Sequence, residues 1–230
     1  LMMTYESPLA ELPVLLIDNF TTSPNFVPDP DFFTIGFIPN SSAYLTTDLA
    51  GLRAQIDYLR EHASRERGLV AASHLGGLVF DRADEEQWET IDDLFGALDG
   101  RLPYGVAPAA GDLDDPDDPR LGSEFYLELF DEDRLAENNP DSGLSPDGYS
   151  SYQVISTPVG DMLMLNLQEE VPGDTLQWAF EILDNNRSTP AIVTTSAYFD
   201  TSREIPFRSL EPAIPAPENQ DEPWIAHSGD

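Results

Sequence analysis

Few side chains in the sequence could act as metal ligands in a recognisable arrangement. The chain of 230 residues has no cysteine and three histidines, and the spacing of His62, His74 and His227 matches no zinc site. The acidic stretch 112–118 could attract Ca²⁺ or Mg²⁺, but it lacks the central glycine and the terminal glutamate of an EF-hand loop. We therefore expect a solvated acidic loop, a core histidine hydrogen-bonded to backbone at position 74, and at position 62 a histidine that interacts with a helix dipole.

Three serines follow predicted strands and could approach one another: Ser41, Ser42 and Ser196. A serine nucleophile needs a base within hydrogen-bond reach, and the sequence places no base to activate them. A Gly-x-Ser-x-Gly motif and a phosphate-cradling glycine loop are both absent from the sequence. The residues alone therefore predict no nucleophilic catalysis.

Four stretches resemble sequences of the calcineurin-like metallophosphoesterases. Residues 74–80 read HLGGLVF where the family usually reads HLGDIVD, and residues 103–112 read PYGVAPAAGD where it usually reads PYGVAPGNHD. Residues 33–42 are similar to its first strand, and residues 191–198 to a later strand that usually presents a histidine ligand. The resemblance covers about residues 33–198, and the family's final Gly-His-x-His element has no match before the end of the chain.

This resemblance implies a scaffold whose metal ligands are largely replaced. A two-metal phosphoesterase needs carboxylate, imidazole and amide ligands around cations about 3.5 to 4 Å apart. The positions that usually supply them hold other residues here: Asn40, Ser42, Gly77, Ala110, Gly111 and Ser196. Gly77 matters most, because its position usually bridges both metals and glycine has no side chain. Asp112 matches the aspartate after the family's histidine, and it is either the last carboxylate of the site or, in the commoner role, the cap of a turn.

The resemblance therefore implies a non-catalytic structural or interaction protein, a pseudoenzyme with no metal or cofactor. One alternative is an active phosphoesterase with a remodelled site, in which Asp112, His74 and either Asn40 or Asn166 hold Mn²⁺ or Zn²⁺. A second alternative is a module that binds a nucleotide or phosphosugar without hydrolysing it.

The charge of the chain predicts a protein from a halophile, adapted to multimolar salt. The formal net charge is −32, from 43 acidic residues against 11 basic ones, and all 11 are arginine. Such salt screens self-repulsion to within a few ångströms, while dense carboxylates keep the surface hydrated. Because no basic stripe exists, neither nucleic acid nor an anionic membrane surface is an expected partner. The apolar run 12–17 is also too short to span a membrane.

Strands alternate with helices along residues 32–200, which predicts an α/β fold with a parallel or mixed sheet. Periodicity places strands at 32–39, from 69 or 70, 104–107, 151–156, 162–167 and 191–195, and helices at 47–62, 85–98, 123–130 and 175–183. Residues 133–149 are expected to be polar and turn-rich. Trp88 is expected in the core, as are the apolar residues of the last helix: Leu176, Ala179, Phe180 and Leu183. The resemblance refines the fold to a metallophosphoesterase-like layered sandwich, truncated at its C-terminal end.

Two segments flank the predicted domain 32–200. Residues 1–31 are expected to form an extended N-terminal arm and residues 201–230 a proline-rich extended tail. The apolar run 13–17 is either an edge strand of this domain or a strand lent to a neighbour. These segments favour protein partners or a homo-oligomer, in an extracellular, cell-surface or virion setting.

Overall fold

The chain folds as an α/β protein with two sheets. The computed structural model describes residues 33–63, 68–113 and 125–196. Sheet I has the order β1-β2-β3 and sheet II the order β4-β5-β6-β7. The strands are β1 (Thr34–Ile38), β2 (Leu69–His74), β3 (Tyr104–Val106), β4 (Ser142–Leu144), β5 (Ser151–Thr157), β6 (Gly160–Leu167) and β7 (Ala191–Thr195). The helices are α1 (Ser42–Thr47), α2 (Leu49–His62), α3 (Glu85–Gly96), α4 (Phe125–Leu129), α5 (Glu132–Asn138) and α6 (Gly173–Asn185).

All three strands of sheet I are parallel, whereas sheet II is mixed. In sheet II, β4, β5 and β6 are antiparallel, and β7 joins β6 in parallel. Each parallel connection is a helical crossover. The α/β class, the β5–β6 hairpin and the strand at 191–195 are confirmed. The finer assignment to a metallophosphoesterase-like sandwich stays a prediction.

Helix α2 lies where a helix was predicted over residues 47–62, and capping by Asp48 separates it from α1, which was not predicted. The carboxylate of Asp48 accepts a hydrogen bond from the N–H of Gly51 at 2.9 Å, and the Asp48 backbone leaves the helical region at φ −155° and ψ 61°. Asp48 is therefore both the C-cap of α1 and the N-cap of α2. The apolar stripe of α2, Leu52, Ile56 and Leu59, is buried against sheet I.

Helix α3 buries the side chains that its periodicity predicts. Asp84 caps it by accepting from the N–H of Glu86. Trp88, Ile91, Leu94 and Phe95 are buried, which confirms Trp88 as a core residue. The outward face carries the acidic residues of the helix.

The interval 133–149 was wrongly predicted as turn-rich, because it contains α5 and β4. The Asp131 carboxylate caps α5 through the N–H of Arg134. The Arg134 guanidinium then pairs with Asp92 at 2.8 Å and with Asp99 at 3.0 Å, and it donates to the Tyr104 hydroxyl at 2.9 Å. These contacts come from distant parts of the chain, so no local pattern reveals them.

Two predictions of burial were also too strong. In β1, which was expected to be buried, Ile38 is the one buried residue, because β1 lies at the edge of the described part of sheet I. In α6, Ala179 is buried as expected. The other three predicted core residues, Leu176, Phe180 and Leu183, are half-buried.

A polar layer joins the facing surfaces of the two sheets. The Asn166 side-chain oxygen accepts from the hydroxyls of Ser73 at 2.8 Å and Thr194 at 2.9 Å. The Gln153 amide donates to the backbone carbonyl of Tyr104. Since buried polar groups need partners, these bonds fix how sheet II sits on sheet I.

The predicted arm 1–31 and tail 201–230 lie outside the described residues, so their boundaries stay predictions. Among the helices that the structure describes, none is long and apolar enough to cross a membrane.

Candidate functional site

The residues named from the sequence converge at one edge of the molecule. Strands β1, β2, β3, β6 and β7 all end there. Asn40 follows β1, Gly77 follows β2, Asp112 follows β3 and Ser196 follows β7. We call this the carboxyl edge. In α/β proteins, ligands usually bind beyond the carboxyl ends of parallel strands, so this edge is the candidate functional site.

Asp112 holds two loops of the carboxyl edge together. Its side chain is 1% exposed. One oxygen accepts from the N–H groups of Gly77 at 2.8 Å and Ala109 at 2.9 Å. The other accepts from Leu78 at 2.7 Å and Val79 at 3.3 Å. Of the two roles left open by the sequence, the structure gives Asp112 that of the turn cap, extended to a second loop.

The electrostatics of Asp112 are a balance of opposing effects. Burial raises the pKa of the Asp112 carboxyl, and the four backbone N–H donors oppose that rise. Because two donors already engage each oxygen, little lone-pair density remains for a cation.

Gly76 and Gly77 leave no room for a side chain. Both have positive φ, +88° and +68°, a region that side chains rarely adopt. A Cβ on Gly77 would overlap the Asn40 amide, and a Cβ on Gly76 would come within 2.6 Å of the Ser196 Cβ. The oxygen of the Asn40 amide accepts from the backbone N–H of Ser42 at 3.0 Å and from its hydroxyl at 2.7 Å. The Asn40 side chain therefore fills the space beside position 77, and its hydrogen bonds to Ser42 hold it there.

Ser41 and His74 form a buried pair that the sequence reasoning missed. The Ser41 Oγ lies 3.0 Å from His74 Nε2, so an imidazole ring lies beside one of the three serines. Both residues follow or end neighbouring parallel strands, and Ile38 pairs with His74 in the sheet. That register is the signal that could have suggested the contact.

The hydrogen bonds of His74 prevent it from acting as a base. The N–H of Gly76 donates to His74 Nδ1 at 3.1 Å, so Nε2 carries the proton and donates to Ser41. The Ser41 hydroxyl in turn donates to the carbonyl of Leu78 at 3.1 Å. Burial lowers the pKa of His74 to about 3, so the ring is neutral. His74 is thus a core histidine bonded to backbone, as expected.

Glu169 also belongs to the carboxyl edge, although the sequence reasoning did not name it. Its Oε2 accepts from the N–H of Ala110 at 2.8 Å and from the Ser196 hydroxyl at 3.4 Å. Ala110 and Gly111 are exposed, and a Cβ on Gly111 would meet open space. Asp112 holds this loop from inside and Glu169 holds it from outside.

The described residues contain no group of three or more His, Cys, Asp or Glu side chains that could hold a metal ion. Asn166, a ligand in the remodelled-site alternative, is fully buried between the sheets. His62 donates from Nδ1 to the carbonyl of Tyr58 at 2.7 Å and stacks on the Tyr58 ring. His227 and residues 114–118 of the acidic stretch lie outside the described residues.

A cavity of about 300 Å³ lies away from the carboxyl edge. Its lining includes Leu69 and Pro103, at the start of β2 and just before β3, together with Val154, Arg101 and Asp141. None of the residues that the sequence nominated lines it.

Comparison with known proteins leaves the family open. No protein family profile matches the chain. It is similar to the uncharacterized protein YvnB of Bacillus subtilis (strain 168), at 22% identity over 173 residues. That similarity covers 74% of this chain and 13% of YvnB, so the chain spans a small part of the length of this relative.

Proposed function

We propose that the chain is a non-catalytic structural or interaction protein, built on a metallophosphoesterase-like fold that has lost its metals. The observation that carries this proposal is the commitment of Asp112 to four backbone donors. A carboxylate ligand needs free lone pairs directed at the cation. At Asp112 those lone pairs accept hydrogen bonds from the backbone N–H groups of two loops.

The neighbouring positions support the same conclusion. Neutral histidine binds metals through a free ring nitrogen, and in His74 both nitrogens are engaged within the protein. Position 77 offers no side chain, and Asn40 fills the adjacent space. The ligand set named for a remodelled site therefore has no free member at Asp112 or His74.

The setting proposed for this module is assembly in multimolar salt. With 43 acidic and 11 basic residues, the chain suits an environment where salt screens repulsion. The tail 201–230 and the part of segment 1–31 outside the run 14–17 are proposed to reach neighbouring proteins or further copies of the chain. A cell-surface or virion assembly is the proposed location.

The first test measures metal bound per chain and hydrolysis together. The full chain, purified in multimolar KCl, is dialysed against Mn²⁺ or Zn²⁺, and the bound metal is counted by elemental analysis. Hydrolysis is followed with bis(p-nitrophenyl) phosphate, and binding of a nucleotide by calorimetry. A control with residues 114, 115, 117 and 118 changed from Asp to Asn removes loose cation binding by the acidic stretch.

We expect no stoichiometric metal, no turnover and no nucleotide binding. Stoichiometric Mn²⁺ or Zn²⁺ with metal-dependent hydrolysis would replace this proposal with an active phosphoesterase. Stoichiometric nucleotide binding without turnover would replace it with a ligand-binding module. Sedimentation in high salt tests the assembly, and a chain that stays monomeric at all concentrations and has no protein partner would contradict it.

A further inference from the structure

The facing strands of the two sheets are offset by one position. The hydroxyls of Ser73 on β2 and Thr194 on β7 lie 3.2 Å apart, so β7 faces β2. Asn166 on β6 bonds to Ser73 and packs against Gly105 on β3, and Gln153 on β5 bonds to β3. Near the carboxyl ends of the strands, and within the described residues, sheet II therefore ends one strand short of β1. Earlier in β1, Ile35 packs against the same buried cluster as Ile192 of β7.

This offset leaves apolar side chains exposed on two surfaces. Phe37 on β1 pairs in register with Ser73 and is 49% exposed. Since Ser73 faces β7, Phe37 faces the position just beyond β7. On the opposite surface of sheet II, Val193 of β7 is also 49% exposed. The outer edge of β7 pairs with no described strand, and an unpaired edge invites a further strand.

We propose that residues 14–17 of the same chain pair with the outer edge of β7 and form the fifth strand of sheet II. A strand there places one of its surfaces against Phe37 and the other beside Val193, so both surfaces meet exposed apolar side chains. A continuous apolar run suits such a place, because successive strand residues bring apolar side chains to both surfaces. Residues 14–17 read Val-Leu-Leu-Ile, and Pro13 stands at the first position, where proline is tolerated.

The tail fits this position less well. Its best β-like stretch, 205–209, reads Ile-Pro-Phe-Arg-Ser. Pro206 has no N–H to donate, and Arg208 would place a charge on the same surface as Pro206. Residues 14–17 contain no charged residue and no proline.

The connecting chain is long enough for an intramolecular contact. Residues 18–32 separate the run from Phe33, and a chain of that length spans up to about 50 Å when extended. Facing sheets are about 10 Å apart. A short tether also gives a local concentration in the millimolar range, which favours the chain's own arm over that of a second copy.

Disulfide trapping in the full chain tests the proposal. Because the chain has no cysteine, Val193→Cys can be combined in turn with cysteine at positions 14, 15, 16 and 17. Two controls use the same oxidation in multimolar salt. Val159→Cys, at a hairpin position that is 58% exposed, replaces Val193→Cys in the first, and Ile205→Cys or Phe207→Cys replaces the arm cysteine in the second.

We expect a monomeric disulfide with Val193→Cys at one arm position, or at two alternate positions, because successive strand residues point to opposite surfaces and disulfides need Cα atoms about 4.4 to 6.8 Å apart. Equal trapping by Val159→Cys, or no trapping at all, would overturn the proposal. Preferential trapping of Ile205→Cys or Phe207→Cys would assign the edge to the tail instead. Disulfide-linked dimers would assign it to the arm of a second copy.

Hydrogen exchange gives a second measurement without cysteines. Changing Leu15 and Ile17 to Asn in the full chain should make β7 amides exchange about tenfold faster or more, since docked strands are protected and free edges are not. Amides of β5 and β6 serve as internal controls and should not change. Unchanged exchange in β7 would contradict the docked arm, whatever the carboxyl edge does chemically.

Discussion

Replacing Asp112 with alanine tests the structural role of the carboxyl edge. The substitution removes the acceptor of four backbone N–H groups, those of Gly77, Leu78, Val79 and Ala109. These groups lie in two loops that Asp112 joins. Without it, no other described side chain bonds to them.

The size of the effect follows from the donors left without partners. A buried donor that loses its acceptor costs about 1 kcal/mol at the low end, which gives about 4 kcal/mol for four donors. Because burial raises the pKa of Asp112, removing its charge recovers part of this. We expect Asp112→Ala to lower the free energy of unfolding by about 3 kcal/mol, a large share of the stability of a typical domain. Asp112→Asn keeps one acceptor oxygen and should lose about 1 to 2 kcal/mol.

Urea unfolding in multimolar KCl, followed by tryptophan fluorescence and circular dichroism, measures the change. Asp93→Ala is the matched control, because Asp93 is exposed on α3, and it should change stability by less than about 0.5 kcal/mol. An Asp112→Ala protein as stable as this control would refute the loop-holding role. If that stable variant also lost Mn²⁺ or Zn²⁺ bound by the parent, Asp112 would be a ligand and the proposed function would fall.

Three further predictions use other parts of the molecule. The pKa of His74 falls from 6.5 to about 3 on folding, so as the pH is lowered the unfolded chain binds this proton while the folded chain does not. The free energy of unfolding should therefore drop by about 2 kcal/mol between pH 7 and pH 5 from this group. His74→Gln should remove that part of the slope in urea titrations, and an unchanged slope would contradict a neutral His74. Gly77→Ala should cost more than about 1 kcal/mol through its positive φ and the Asn40 contact, whereas the exposed Gly111→Ala should be nearly neutral; equal effects in thermal melts would refute this. Arg134→Met should cost about 1 to 2 kcal/mol in urea melts at low and high salt, because Arg134 also donates to the Tyr104 hydroxyl and the Leu129 carbonyl. Salt screens the pairs with the exposed Asp92 and Asp99 but not the bonds to these neutral acceptors, and a loss that vanishes in high salt would refute this.

Sequence reasoning succeeded where the determinants of structure are local. The apolar run of β6 and the stripe of α3 report burial directly, and these elements and β7 lie where they were predicted. The turn-capping role of Asp112 was anticipated because aspartate fills it often. The second loop that Asp112 holds, at Gly77, lies 35 residues away in sequence, and no residue near position 112 predicts that contact.

The misses share one physical cause, which is that their partners are distant in sequence. Ser41 and His74 are 33 residues apart, and their contact needs the parallel register of β1 and β2. Glu169 meets the loop at Ala110 across 59 residues. For α5, the stabilising partners of Arg134 come from α3 and the loop after it. Such contacts can be inferred only when the order of the strands in the sheets is known.

The residues of the carboxyl edge also fit one another. The absence of a side chain at Gly77 is what allows the Asn40 amide to occupy that space, and the loop conformation places the Gly77 N–H on Asp112. A side chain introduced at position 77 alone would meet both the positive φ and the Asn40 amide. Placing a larger side chain there therefore requires a coupled change at position 40, because residues in contact do not contribute independently. The edge is stabilised as a packed structure, and a single substitution would disrupt that packing before it created a binding site.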